Sequence, residues 1–163
     1  MMKLLSLFSL LLLLTACGNS ESDAAEAAAE QANSRAQEVA YQSMMDGHDR
    51  IMPLMGQITQ AQRTITEQLS QGGHGEDYRE LLLAANEQLE DANDGMMDWM
   101  NSVRPLDELR ADMGEDEVME YLKERTRSIT DVETDIKTSL AAANEVLGSD
   151  HVHGPGADHD HDH

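Results

Sequence analysis

Residues 69–82 read LSQGGHGEDYRELL, and the break inside this stretch decides the fold. The run Gln71-Gly72-Gly73-His74-Gly75 contains three glycines, which disfavour a helix interior. Helical patterns with the same spacing continue on both sides of the run. Asp77, followed three residues later by Glu80, predicts the N-terminal cap of the next helix. The stretch therefore predicts a helical hairpin, because short loops make consecutive helices antiparallel neighbours.

Apolar side chains recur at steps of three and four on both sides of this break, and again farther along the chain. That spacing places them on one face of a helix. The first stripe is Met44, His48, Ile51, Met55, Ile58, Gln62, Ile65 and Leu69; the second is Tyr78, Leu82, Ala85, Leu89, Ala92, Met96, Trp99 and Val103; the third is Val118, Leu122, Arg125, Ile129, Val132, Ile136, Leu140, Ala143 and Leu147.

The ends of the stripes complete the predicted fold. Arg104-Pro105 ends the second stripe, because a residue before proline is driven away from helical geometry. Residues 106–114 are expected to be a connector that can include a short helical turn, and Gly148 is expected to cap the third helix. No segment alternates with period two over a useful length. The sequence predicts an all-α protein with an up-down-up antiparallel three-helix bundle over residues 41–148.

The loop positions predict which residues lie level with each other. The first loop is centred near residues 73–74, so His48 is expected beside Trp99 and Met52 beside residues 95–97.

The second connector is centred near residue 108. Met96 is therefore expected level with Met119, and Arg125 is expected to find a partner in Asp91 or Asp94.

The start of the chain predicts its compartment. A short basic start ending at Lys3 precedes an apolar run from Leu4 to Leu14, too short for the roughly 20 residues that span a bilayer. Leu14-Thr15-Ala16-Cys17 resembles a bacterial lipobox. Residues 1–16 are therefore expected to be a signal peptide, with Cys17 lipidated and residues 17–40 forming a tether and polar helical stalk. This places the protein in the cell envelope, held on a membrane through Cys17, and leaves the outer-membrane, periplasmic and surface locations open.

Composition excludes several functions. The chain carries 32 acidic and 11 basic residues, a net charge of −21. That charge argues against nucleic acid as a partner and favours basic proteins and cations. Cys17 is the only cysteine, so neither an intramolecular disulfide nor a CxxCH haem attachment is available. A nucleophile elbow, a glycine-rich phosphate loop and an HExxH motif are all absent from the sequence, which indicates a non-enzymatic protein.

All nine methionines beyond Met1 and Met2 fall in the same predicted end of the bundle. Two interpretations remain open. Packing is the simpler one, because methionine fills irregular gaps and Pro53 disturbs its helix at a cost of about 3 kcal/mol. The alternative is a copper site, since thioether and imidazole suit that metal. Its candidate ligands are His48, Met52 and Met55 on one helix face, and Met96 and Met100 on the facing helix.

The C-terminal segment 151–163 reads HVHGPGADHDHDH and is expected to be disordered. Imidazole and carboxylate groups suit zinc, nickel and copper(II). Affinity should be modest, and it should fall near pH 6 as the imidazoles protonate. The candidate ligands are His151, His153, His159, His161 and His163.

Three stretches carry a family resemblance: HDRIMPLMGQI (48–58), DGMMDWMNSVRP (94–105) and EVMEYLKERTRSITDVETDIKTSL (117–140). They resemble small Bacteroidota lipoproteins that are often named "viral A-type inclusion protein". The resemblance covers residues 44–147 and does not include the His/Asp segment. It implies a helical envelope lipoprotein whose function is not established, so it supplies no catalytic residues.

Two functions follow from these observations. The first is a lipid-anchored interaction or structural module that docks an envelope protein. The alternative is a copper- or zinc-binding lipoprotein that uses the His-rich segment and the His48/Met set.

Overall fold

Helices make up all the regular structure of residues 19–149, the part of the chain that the computed structural model describes. In order they are α1 (Asn19–Gln71), α2 (Glu76–Ser102), α3 (Leu106–Asp112) and α4 (Glu115–Ser149). Because these residues contain no strand, the predicted all-α class is confirmed. The chain divides into two compact units, one ending at Val39 and one beginning at Ala40.

The predicted signal peptide, Cys17 and the His-rich segment 151–163 lie outside the described residues. Within 19–149, no helix has both the length and the apolar character needed to cross a bilayer.

The glycine-rich break separates α1 from α2 as predicted. Gly72 and Gly73 have φ angles of 69° and 86°, a left-handed conformation that glycine adopts without strain. The predicted cap is wrong: Gly75 occupies the N-cap position, and no side chain caps this helix. Asp77 lies instead in the first turn, where its negative charge interacts favourably with the helix dipole.

The ends of α2 and α4 test two further predictions. α2 stops at Ser102, just before Arg104-Pro105, as expected. The helical turn expected in the connector is the seven-residue helix α3, which also buries Leu106 and Leu109 in the core. The Gly148 cap is wrong, since α4 continues to Ser149.

Helices α2 and α4 run antiparallel. At one end, the indole Nε1 of Trp99 donates to the carbonyl of Arg125 at 3.1 Å. At the other end, the hydroxyl oxygen of Tyr78 lies 3.3 Å from the carbonyl oxygen of Val146. In both pairs, Trp99–Arg125 and Tyr78–Val146, Asp112 lies midway between the two residues along the chain. The sequence pattern placed this midpoint of the hairpin near residue 108.

The connection contains the helix α3, which packs against α4. Each α2 residue therefore lies level with an α4 residue about eight positions later than predicted, a shift of about two helical turns. The predicted level of Met96 with Met119 is therefore wrong, and Met96 lies nearer the level of Ser128.

Residues 40–71 of α1 contact both other long helices. Arg50 forms an ion pair with Glu133 of α4, with 3.0 Å between Nη2 and Oε2. Gly47 lies so close to Ile129 that an added Cβ would come within 3.0 Å of its Cγ2. Near the first loop, the Tyr78 hydroxyl donates to Gln68 of α1 at 2.6 Å.

The buried apolar residues form one cluster that follows the predicted stripes. Its largest fully buried side chains are Met44, Ile51, Ile58, Ile65, Leu82, Leu89, Met96, Leu109, Val118, Leu122, Ile129 and Ile136. Some methionine side chains lie on the surface of the protein and others in this core. Met52, Met97 and Met119 are 40%, 46% and 37% exposed.

Candidate functional site

His48 lies where the sequence places it, beside Trp99. The two rings are stacked with their centroids 5.6 Å apart and an interplanar angle of 19°. The imidazole Nδ1 is 2.9 Å from Oδ1 of Asp49, and the side chain is 17% exposed. The predicted level of residues 48 and 99 is confirmed.

The methionines of the candidate copper set occupy different environments. Met96 is fully buried, Met55 and Met100 are half-buried against the core, and Met52 is 40% exposed. Among residues 19–149, no three His, Cys, Asp or Glu side chains are grouped as a metal ion would require. The predicted site relies on thioether sulfur, so it stays a prediction.

Arg125 anchors a polar contact that the sequence did not predict. Its Nη1 donates to the Ser102 hydroxyl at 2.8 Å and its Nη2 to Glu124 at 2.9 Å. Its buried Nε has no hydrogen-bond acceptor. The predicted partners Asp91 and Asp94 are wrong, because the alignment of α4 along α2 brings Arg125 to the end of α2.

Tyr121 completes this contact. Its hydroxyl donates to the carbonyl of Ser102 at 2.8 Å and accepts the backbone N–H of Arg104 at 3.0 Å. Ser102 is the last residue of α2 and Arg104 follows the Val103 cap, so both backbone groups lie where helical hydrogen-bond partners run out. No sequence signal identifies such a contact, because the partners are backbone atoms.

Glu133 is the acceptor in an ion network between α1 and α4. Hydrogen bonds from Arg50 and then Lys137 stabilise its carboxylate and lower its pKa to about 2. The same carboxylate raises the pKa of Arg50. Both basic side chains are mostly exposed, so this network is a surface feature that joins two helices.

A groove follows the outer junction of α2 and α4. One depression, of about 350 Å³, is lined by Leu81, Ala84, Ala85, Gln88, Ala142, Glu145 and Val146. A second, of about 330 Å³, is lined by Gln88, Asp91, Ala92, Asp135, Thr138 and Ser139. Gln88 lines both, so the two depressions adjoin, and together they are here called the acidic groove. Its charged lining residues are all acidic: Asp91, Asp135 and Glu145.

A third depression, of about 400 Å³, lies between α1 and α4 and has the opposite charge. Its charged lining residues are Lys123 and Arg127. The stripes did not predict either surface, because both depend on how α4 is aligned with its neighbours.

Comparisons with known proteins leave the family open. No protein-family model matches the chain, and no solved structure matches it. One segment of 55 residues is 47% identical to part of the trigger factor of Sphingopyxis alaskensis. It spans 34% of this chain and only 10% of that protein, so it carries no argument about the activity of the whole molecule.

Proposed function

We propose that this protein is a lipid-anchored, non-enzymatic module of the cell envelope that binds a protein partner. In this proposal, residues 1–16 are a cleaved signal peptide, Cys17 carries the lipid, and residues 17–40 form a tether and stalk. Residues 41–148 form an up-down-up three-helix bundle that presents the binding surface. The lipobox-like sequence before Cys17 supports the anchor.

The acidic groove is the observation that carries the interaction role. It combines Leu81, which is 52% exposed, with the carboxylates of Asp91, Asp135 and Glu145. An apolar strip rimmed by polar groups is typical of protein interaction sites. The net charge of −21 favours a basic partner by long-range attraction.

Fractionation of cells that express the full chain tests the anchor. We expect the wild-type protein in the membrane fraction, with a mass at Cys17 that corresponds to cleavage and acylation. The Cys17→Ala variant should lose both the acylation and the membrane association, because no other segment is proposed to anchor it. Protease treatment of intact cells would distinguish the surface from the periplasm. Recovery of the wild-type chain as a non-acylated soluble protein would refute the proposal.

A second candidate function is transition-metal binding. It is favoured by one contact, the stack of His48 on Trp99, which brings the imidazole to the level of the segment that contains Met96 and Met100. The five histidines of 151–163 would supply a separate site for zinc or copper(II). A metal titration that separates the two sites is described in the Discussion.

A further inference from the structure

We propose that the acidic groove docks a single basic amphipathic helix of another protein. This inference rests on the interaction role proposed above and names the kind of partner. It follows from three properties of the groove: an apolar floor at one end, three carboxylates of which two lie at the other end, and a length that matches a short helix.

The apolar end is formed by side chains that are mostly small. Ala84 and Ala85 of α2 face Ala142 and Val146 of α4, and Leu81 stands at the edge. Small residues allow the backbone of a docking helix to come close, and the exposed Leu81 offers a contact for a large apolar side chain. A helix that lies in such a groove uses apolar residues spaced three and four apart.

The charged end of the groove favours a partner with positive charge. Asp91 on α2 and Asp135 on α4 are both exposed and line the same part of the groove. No lysine or arginine is among the residues that line either part of it. Lysine or arginine on the docking helix would therefore meet carboxylates on both sides. The Leu81 end carries one of the three carboxylates, Glu145, and the other end carries two, an asymmetry that favours one direction of the bound helix.

The length of the groove sets the size of the partner segment. From Leu81 to Ala92 the α2 wall extends ~17 Å, which corresponds to about three turns of a docking helix. A second copy of this chain is a poor occupant, because at a net charge of −21 two copies repel each other.

Peptide binding to the full chain in mild detergent tests the inference directly. The probe is a labelled helical peptide of about 14 residues, with leucine and alanine on one face and lysine or arginine flanking it toward one end. A control peptide carries glutamate in place of each basic residue. Fluorescence anisotropy at low and high salt measures the affinity of each.

We expect binding of the basic peptide only, with an affinity that falls as salt rises. The double variant Asp91→Asn/Asp135→Asn should weaken binding about tenfold and reduce its salt dependence, and Leu81→Ser should weaken it without changing the salt dependence. The matched control Glu87→Gln/Asp116→Asn removes two exposed carboxylates outside the groove and should change little. Failure of the basic peptide to bind, or equal binding by the groove and control variants, would overturn the inference.

Photocrosslinking in cells separates this inference from the proposed function. A photoreactive residue at Ala84 should yield an adduct whose attachment point maps to a basic amphipathic helix of another protein. An adduct to a second copy, or to a segment that is neither basic nor helical, would overturn the basic-helix inference and leave an interaction role in place. The absence of adducts from Ala84 and from every other exposed position would remove the interaction role as well.

Discussion

The imidazole of His48 on α1 is stacked on the indole of Trp99 on α2, with 5.6 Å between the ring centroids. The same indole donates its N–H to the carbonyl of Arg125 on α4. Trp99 is only 3% exposed. This one buried side chain of α2 therefore contacts both other long helices, α1 and α4. Stacked ring pairs of this kind contribute about 0.5–1.5 kcal/mol beyond the area that they bury.

Substitutions at this contact should differ in how much they lower the free energy of unfolding. Trp99→Ala should lower the free energy of unfolding by about 3–5 kcal/mol, because it empties a buried site. His48→Ala should cost about 1 kcal/mol, and His48→Phe should cost less because it keeps a ring against the indole. Urea denaturation measures all three. Trp99 is the only tryptophan, so its emission should shift in His48→Ala; an unchanged spectrum would contradict the stack.

Substitution by alanine should change the stability of the protein differently at two glycines of α1. A Cβ at Gly56 would meet nothing within 4 Å, whereas one at Gly47 would lie 3.0 Å from Ile129. Gly56→Ala should therefore stabilise the protein by about 0.5–1 kcal/mol through helix propensity. Gly47→Ala should gain less or lose stability, because the buried Ile129 must move. Thermal unfolding compares the two, and an equal gain at both positions would mean that Gly47 has no close neighbour.

Pro53 lies inside α1 and removes the N–H that would bond to the carbonyl of Asp49. Pro53→Ala should raise the free energy of unfolding by about 2 kcal/mol. That figure combines a gain of about 3 kcal/mol from the helix with a loss of up to about 1 kcal/mol from a freer unfolded chain. Urea denaturation measures the change. A destabilised variant would indicate that the surrounding contacts require the proline.

Glu133 should make stability depend on pH in the acid range. Its pKa is about 2 in the folded protein and 4.5 ordinarily. A lowered folded-state pKa contributes stability that is complete above the ordinary value and is lost as the pH falls toward the folded value. The stability difference between wild type and Glu133→Gln should therefore be largest above pH 4.5 and shrink toward pH 2. Chemical denaturation at several pH values measures it, and a difference that does not vary with pH would contradict the network.

Metal titration should separate the two candidate metal sites. Removal of residues 151–163 should abolish zinc and copper(II) binding, and the intact chain should bind both less tightly near pH 6. We expect His48→Ala to leave copper(I) binding unchanged, because Nδ1 of His48 contacts Asp49 and Met96 is fully buried. Calorimetry on the full chain, the truncation and the variant would show this. Copper(I) binding that survives truncation and weakens about tenfold in His48→Ala would establish the bundle as a metal site.

The sequence by itself determined the helical class, the glycine break after Gln71, the end of α2 before Pro105 and the level of His48 with Trp99. These features follow from local rules. Stripe spacing reports which helix face is buried, glycine and proline report where a helix stops, and a short loop leaves little freedom in the hairpin that it closes.

Only the tertiary structure decided how α4 lies along α2. The segment from Leu106 to Asp112 forms a helix that buries Leu106 and Leu109, and this fold of the connector moves the centre of the second hairpin to Asp112. Arg125 thereby meets Ser102 instead of Asp91 or Asp94, and Asp135 comes to line the same groove as Asp91. The physical reason is that a helical stripe repeats at every turn, so a shift of about two turns keeps apolar residues on the buried face and changes only which side chains meet.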